Sequence, residues 1–205
     1  MTAKRIFDFF FALVGLILLS PLLVAIAIWI EIDSSGPVFF QQTRIGRFGH
    51  PFKIYKFRTM VANAEILGKG KQVTAADDPR ITKSGKLLRK YKLDELPQLL
   101  NVLKGEMSLV GPRPEVPKYV AFYTIKQRQV LDVLPGITDL GSLESIHLRN
   151  ESELLAGLSN PEEVYIREIM PPKLESNIRY IKQASLGLDL LIIFKTIGQL
   201  LGKSA

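Results

Sequence analysis

The longest apolar run of the chain lies between Asp8 and Glu31, where 22 consecutive residues carry no charge. A run of this length is enough to cross a hydrocarbon core of about 30 Å as a straight helix. Pro21 interrupts the run, because a proline cannot donate the helical hydrogen bond to the carbonyl of Ile17 and bends the helix there. The hydroxyl of Ser20 can satisfy that carbonyl. The pattern therefore predicts an apolar helix with a kink at Ser20 and Pro21.

The charges that flank this run bear on how the helix meets the membrane. Lys4 and Arg5 precede it, and the remainder of the 27 Lys and Arg residues follow it. Because basic flanks prefer the cytoplasmic side, both ends favour the same face of the membrane. A re-entrant helix over residues 6–30 satisfies both preferences. Spanning helices also tolerate a proline, so the residues alone leave the two paths open.

The pattern changes after this helix to shorter elements with polar faces. Alternating positions predict a strand at residues 37–44, a turn at 47–51 and a return strand at 52–58, on which Lys56 and Arg58 share one face. Helical spacing predicts a short helix at 61–67 and longer helices at 83–91, 94–104 and 115–134. We expect one mainly α-helical α+β domain over residues 1–205, with a small β-hairpin.

The C-terminal stretch at residues 186–201 is apolar enough to be mistaken for a second membrane segment. Its polar residues, however, gather within an arc of about 120° on a helical wheel. The pattern predicts an amphipathic helix, whose apolar side either packs on the core or lies at the membrane interface. The membrane segment at the other end of the chain favours the interface.

Composition limits the chemistry. The chain has no cysteine, which excludes disulfides, thiolate metal sites and cysteine nucleophiles. Its net charge of +7 points to an anionic partner, such as nucleic acid, anionic lipid or a phosphorylated substrate. Phosphate-binding loops, dinucleotide fingerprints and serine nucleophile elbows are absent, and the two histidines are far apart in sequence. A carboxylate remains as the candidate nucleophile.

Two adjacent acids, Asp94 and Glu95, are the strongest candidates. Pro97 tolerates only the first turn of a helix, so a helix is expected to begin near Asp94 and to end at Gly105. A helix N-terminus favours the ionised carboxylate, which can attack phosphorus or bind a hard cation. Acids at this position are also ordinary caps. The basic residues just before the pair favour a phosphate site: they are Arg80, Lys83, Lys86, Arg89, Lys90 and Lys92.

A second candidate is Arg113, which lies in a Gly-Pro-Arg-Pro sequence at residues 111–114. The two prolines restrict the backbone on both sides of the arginine. A guanidinium held in this way suits a bidentate phosphate contact. The alternative is a rigid connector in which Arg113 meets only solvent.

The Lys-Leu-Asp-Glu-Leu-Pro-Gln-Leu sequence at residues 92–99, together with residues 111–114, resembles the bacterial sugar transferase family, the monotopic phosphoglycosyl transferases. The resemblance covers most of the chain in order. Further matching segments lie at residues 4–8, 20–21, 42–46, 52–60 and 134–138.

The resemblance implies an enzyme that transfers a sugar 1-phosphate from a nucleotide sugar, expected to be UDP-linked, to polyprenyl phosphate. It implies that Asp94 forms a covalent intermediate and binds Mg²⁺, that Glu95 assists, and that the helix at residues 6–30 is re-entrant. The expected location is the bacterial inner membrane, with the active site facing the cytoplasm, where the reaction initiates glycoconjugate or polysaccharide assembly. A homo-oligomer is compatible with this. The substrate-binding residues that it implies are Arg44, Lys56, Arg58, Arg89, Arg113 and Arg149.

The sequence departs from the common family pattern after Thr138. Many members continue with a stretch like Gly-Trp-Ala-Gln-Val, whereas this chain has a different sequence up to an Arg-Asn pair at residues 149–150. The departure leaves the donor sugar open. Two other functional classes also stay open: a non-catalytic basic module that binds membrane surfaces, and a nucleic-acid binder, which the apolar N-terminus disfavours.

Overall fold

The computed structural model describes residues 3–68, 78–144, 155, 158 and 160–202. The predicted apolar helix is present as α1 (Ala3–Asp33), which is long and apolar enough to cross a membrane by length and composition. The helix continues through Pro21, and the Ser20 hydroxyl donates a hydrogen bond of 2.8 Å to the Ile17 carbonyl. This bond satisfies the carbonyl that would otherwise lack a donor, because the nitrogen of Pro21 carries no hydrogen. The re-entrant path itself stays a prediction.

The predicted hairpin is confirmed. Strands β1 (Phe39–Ile45) and β2 (Pro51–Phe57) pair antiparallel, and a 3₁₀ turn at Arg47–Gly49 joins them. The turn requires positive φ angles at Phe48 and Gly49, which glycine adopts at no steric cost. The bounds of the strands differ from the prediction by one or two residues.

The segment with the two acids is helical but begins differently from the prediction. After α2 (Ala64–Leu67) and α3 (Lys83–Lys90), a 3₁₀ helix at Leu93–Gln98, here called the acidic turn, leads into α4 (Leu99–Lys104). The nitrogen of Pro97 cannot donate to the carbonyl of Leu93, four residues earlier, and the proline ring crowds that carbonyl. The chain therefore winds more tightly there. The helix ends at Gly105 as predicted, with a φ of 86°.

The prediction of one helix at residues 115–134 is wrong. Strand β3 (Ser108–Val110) is followed by a short helix, α5 (Pro117–Val120), and a 3₁₀ helix at Gln127–Asp132. Between them Thr124 and Gln127 form a capping box, since each backbone N–H donates to the side-chain oxygen of the other residue. A new helical turn therefore starts there. Strand β4 (Gly136–Thr138) then pairs parallel with β3.

Helices make up most of the described C-terminal residues. They are α6 (Leu140–Glu144), α7 (Pro161–Val164), a π-helical turn at Tyr165–Ile169, α8 (Met170–Gln183) and α9 (Leu186–Gly202). Asp139 is buried and caps α6 by accepting a hydrogen bond of 2.8 Å from the N–H of Ser142. It also accepts from Asn177 on α8. The segment that departs from the family pattern thus begins with a helix fixed on α8.

Helix α1 lies along the protein body with one face buried. Toward its N-terminus Ala12 packs in a cluster with Leu99 of α4. Toward its C-terminus Ile26 and Ile30 pack in another cluster with Leu88 of α3. The opposite face exposes large apolar side chains: Ile6, Phe10, Leu13, Ile17, Val24 and Ile28.

Charged side chains fix the N-terminal end of α1. Lys4 forms an ion pair with Asp189 of α9. Arg5 donates to the carbonyls of Val102 and Leu103, so it caps the C-terminal end of α4. Asp8 accepts a hydrogen bond of 2.8 Å from the hydroxyl of Ser108 in β3.

The C-terminal end of α1 is fixed on the same body. Asp33 accepts hydrogen bonds from the N–H and the hydroxyl of Ser84, at the start of α3. Both ends of α1 therefore contact the two helices that flank the acidic turn: α4 at one end and α3 at the other.

Helix α9 packs on the protein body through one face, on which Asp189 and Ile192 are buried. Asp189 is 1% exposed and also accepts a hydrogen bond of 2.6 Å from the Tyr180 hydroxyl. The Thr196 hydroxyl lies 2.6 Å from that of Thr138 in β4. The apolar side chains that face outward are Leu190, Leu191, Phe194 and Ile197. The outer apolar side is thus not part of the core.

We expect Gly85→Ala to destabilise the protein by about 1–3 kcal/mol, because its Cβ would lie 2.1 Å from the carbonyl oxygen of Thr59. Gly187→Ala is the matched control, since nothing lies within 4 Å of the added carbon. Thermal unfolding of the two purified variants checks this. Equal stability of Gly85→Ala and the wild type would contradict the close packing of α3 on Thr59.

Candidate active site

Apolar residues on either side of the acid pair pack in the two clusters that α1 forms with the protein body. Leu93, at the start of the acidic turn, packs with the cluster around Ile26. Leu99, just after the turn, packs with the cluster around Ala12. Asp94 and Glu95 therefore lie between the two apolar contacts that hold this segment on α1.

Glu95 is the centre of a buried charge cluster. Its Oε1 accepts hydrogen bonds from the Lys56 ammonium at 2.7 Å and from the Arg113 guanidinium at 3.1 Å. Burial opposes ionisation of this carboxyl, but Lys56 and Arg113 hold its pKa well below the ordinary value. Glu95 is therefore ionised at neutral pH and joins β2 to the Gly-Pro-Arg-Pro segment.

Asp94 differs from its neighbour in its contacts and in the direction of its pKa shift. It is 8% exposed, and its Oδ1 is buried without a hydrogen-bond partner in the described part of the chain. Burial and the charge of Glu95 raise the pKa of Asp94, whereas Lys56, Lys92 and Arg89 act to lower it. A buried carboxylate oxygen without a donor is costly and is available to a cation or an electrophile.

Arg89 of α3 lies on another side of the acid pair. Its Nε donates a hydrogen bond of 2.9 Å to the Thr59 hydroxyl. Its charge favours the ionised form of Asp94. Among the described residues, none accepts a hydrogen bond from its two terminal nitrogens. They are the pair of donors that a phosphate group binds.

Arg44 lies behind Arg113 and supports it. Its guanidinium donates to the Pro114 carbonyl at 3.0 Å and to the Gln42 amide oxygen at 2.7 Å. It also lies 3.6 Å from a carboxylate oxygen of Glu115. These contacts fix the Gly-Pro-Arg-Pro segment on the edge of β1, so Arg44 stabilises the site from within the protein.

Arg58 lies elsewhere. Its guanidinium donates to the carbonyls of Ile30 and Ser34 at the C-terminal end of α1. It therefore caps α1 and does not contact the acid pair, although sequence alternation places it on the same strand face as Lys56.

The structure thus brings together Asp94, Glu95, Lys56 and Arg113, with Arg89 close by. Arg149 lies outside the described residues. Sequence reasoning assigned no role to Lys92, whose charge acts on both acids. Its place in the basic run was the only signal.

The site has the ligand type that Mg²⁺ prefers. Magnesium is usually held by one or two carboxylates together with substrate phosphates and water. The unpartnered Oδ1 of Asp94 fits such a contact. The residues that the structure describes contain no group of three or more His, Cys, Asp or Glu side chains that could hold a metal by themselves. A magnesium site here would therefore depend on the substrate, and it stays a prediction.

Comparison with known proteins shows the family of this chain. The family described as bacterial sugar transferase matches residues 1–203. The chain belongs to this family. The residues of the acidic turn, Lys56 and Arg113 all lie within the matched region.

Three relatives indicate the kind of reaction found in the family. A UDP-N-acetylgalactosamine-undecaprenyl-phosphate N-acetylgalactosaminephosphotransferase from Aeromonas hydrophila is 40% identical over 97% of this chain. A UDP-glucose:undecaprenyl-phosphate glucose-1-phosphate transferase from Escherichia coli (strain K12) is 38% identical over 95% of it. The chain spans only 43% and 39% of these two proteins. Exopolysaccharide production protein ExoY from Sinorhizobium fredii is 36% identical, over 95% of this chain and 84% of its own length.

We expect Glu95→Gln to destabilise the protein in a pH-dependent way. The folded-state pKa of Glu95 is lowered, so its stabilising charge is present above the ordinary value of 4.5 and is lost as the pH falls through the folded-state pKa. The difference in melting temperature between wild type and variant should therefore be largest near neutral pH and shrink in acid.

The measurement is thermal unfolding of the detergent-solubilised protein at a series of pH values from neutral into acid. Glu31→Gln, at an exposed acid of α1, is the control. A difference between wild type and Glu95→Gln that does not change with pH would contradict the ionised state of Glu95.

Proposed function

We propose that this protein transfers a sugar 1-phosphate from a UDP-sugar to a polyprenyl phosphate through a covalent intermediate on Asp94. The observation that carries the proposal is the unequal environment of the two acids. Glu95 is paired with Lys56 and Arg113, whereas Asp94 has a buried oxygen without a partner in the described residues. The names of the relatives supply the donor and the acceptor.

In the first displacement, Asp94 attacks the β-phosphorus of the donor. A bond forms between the carboxylate oxygen and phosphorus, and the bond from phosphorus to the oxygen that bridges the two phosphates breaks. The leaving nucleoside monophosphate takes the electron pair, and the sugar phosphate remains on the carboxylate. Arg89 and Arg113 would stabilise the charge that develops on the phosphate oxygens.

In the second displacement, the ionised phosphate oxygen of the lipid attacks the same phosphorus. The acyl phosphate bond breaks, Asp94 regains its charge, and a polyprenyl diphosphate sugar leaves. This nucleophile is already ionised, so the step needs no general base. Glu95 would hold Lys56 and Arg113 in place through both steps.

Mg²⁺ belongs to the proposal as a cofactor. Asp94 and the phosphates of the donor would hold it, and it would offset the charge of the diphosphate. Burial and Glu95 raise the pKa of Asp94, and the cations around this acid oppose that shift by favouring the ionised carboxylate. Lys92 and Arg89 favour that state.

The contacts of α1 support a position in one leaflet. A helix of 31 residues is about 45 Å long, and both of its ends contact the same protein body. A straight spanning path would carry one of these polar contacts to the far side of the membrane. The outer apolar faces of α1 and α9 would then lie in the lipid, with the acid pair on the cytoplasmic side of a bacterial inner membrane.

The sugar itself stays open, because the two relatives that are named for their donor use different sugars. The family name and the polysaccharide role printed for another relative support a step that initiates glycoconjugate or polysaccharide assembly.

The reaction is tested by mixing enzyme with Mg²⁺ and UDP-sugar in the absence of lipid acceptor. We expect a burst of UMP no larger than the amount of enzyme, because each carboxylate reacts once. Asp94→Asn should eliminate the burst, whereas Glu95→Gln should slow it. Continuous UMP release without acceptor, or a full burst from Asp94→Asn, would contradict the proposal. A panel of UDP-sugars identifies the donor.

The topology is tested by single cysteines, which the natural chain lacks. Thr2→Cys and Ser35→Cys lie on either side of α1. In spheroplasts, we expect a membrane-impermeant thiol reagent to label neither residue, and to label both after the membrane is opened. Labelling of only one of them from outside would show that α1 spans the membrane.

A further inference from the structure

The start of α3 is held by two caps, one of which comes from α1. Thr82 accepts a hydrogen bond of 3.0 Å from the N–H of Gly85. Asp33, the last residue of α1, accepts 2.9 Å and 2.8 Å bonds from the N–H and hydroxyl of Ser84. Ser84 is fully buried and Asp33 is half-buried, so these two bonds lie at the edge of the protein interior. The direction of α3 is therefore set by the end of the membrane helix.

Thr59, just after β2, is the second fixed point of α3. Its carbonyl accepts a hydrogen bond of 3.0 Å from the N–H of Thr82, and Gly85 packs directly against the same carbonyl. One turn later, the Thr59 hydroxyl accepts the bond from Nε of Arg89. Thr59 is only 7% exposed, so both contacts are made inside the protein.

This arrangement determines how Arg89 faces the acid pair. A guanidinium has donors on Nε and on two terminal nitrogens. Since Nε donates to Thr59, rotation of the planar group is restricted, and the end of the guanidinium that carries the two terminal nitrogens can still bind another acceptor. A guanidinium fixed in this way loses less entropy when it binds a phosphate with two parallel hydrogen bonds.

We propose that Thr59 and Asp33 are positioning residues for Arg89 and that they couple the membrane helix to the donor site. Thr59 orients the guanidinium, and Asp33 fixes the helix that carries it. Neither residue contacts substrate in this scheme. The inference rests on the proposed function, in which Arg89 contacts the diphosphate of the donor.

Thr59 is tested by removing its hydroxyl. Thr59→Val keeps the size and shape of the side chain, and we expect it to slow the donor-dependent UMP burst about tenfold, because one hydrogen bond to a charged group is lost. Thr59→Ser keeps the acceptor and should restore most of the rate. In an Arg89→Ala background, Thr59→Val should change the rate by less than about twofold, since its effect acts through Arg89.

Asp33 is tested in the same assay. Asp33→Ala should slow the UMP burst. Asp33→Asn, which keeps one acceptor oxygen, should slow it less. Glu31→Ala is the matched control: this acid is exposed on α1 and makes no hydrogen bond or ion pair among the described residues, so its burst should equal that of the wild type. The melting temperature of each variant shows whether it is folded.

The outcomes separate the inference from the proposed function. If the folded wild type gives no burst with any donor, the proposed function fails. If it gives a burst that Thr59→Val and Asp33→Ala leave unchanged, only the positioning role fails. If both changes slow the burst equally with and without Arg89, the residues act on general structure and the proposed coupling is wrong.

Discussion

The site depends on the ion pairs that the Glu95 carboxylate forms with Lys56 and Arg113. Lys56 and Arg113 are partly buried cations from different parts of the chain, and burying such a charge without a counter-charge is costly. Glu95 pairs with both and so holds the hairpin, the acidic turn and the Gly-Pro-Arg-Pro segment together. The same charge raises the pKa of Asp94. One acid thus organises the cations, and its neighbour is left with an unpartnered buried oxygen among the described residues.

Helix α1 extends this organisation to the membrane. The segment from α3 through the acidic turn to α4 lies along its buried face, in the opposite direction. Asp33 caps the start of that segment and Arg5 caps its end. The acid pair lies between the two caps, so a displacement of either end of α1 would act on the geometry of the site. In the proposed function, α1 therefore supports the acid pair as well as holding the protein at the membrane.

Local chemistry made the main elements predictable, and the errors have both local and non-local causes. The apolar run, the hairpin, α3 and α9 follow from periodicity, and the positive φ of Gly105 follows from its place after α4. The 3₁₀ winding of the acidic turn results from crowding at Pro97, which helix propensity alone does not predict. The helix predicted at residues 115–134 is broken, because a capping box starts a new helical turn at Thr124, and periodicity does not show that box. Alternation predicts one strand face for Lys56 and Arg58, yet β2 ends at Phe57, so Lys56 contacts Glu95 while Arg58 contacts the end of α1. The contacts of Thr59 and Asp33 join residues distant in sequence, so no pattern along the chain shows them.

The most direct test of the central claim is to locate the covalent adduct. Enzyme mixed with its donor and Mg²⁺, without lipid acceptor, is quenched, digested and analysed by tandem mass spectrometry. The account predicts a sugar phosphate on Asp94 and an unmodified Glu95. An adduct on Glu95 would contradict the division of roles between the two acids, and full turnover with lipid acceptor but no adduct on either residue would contradict the covalent route.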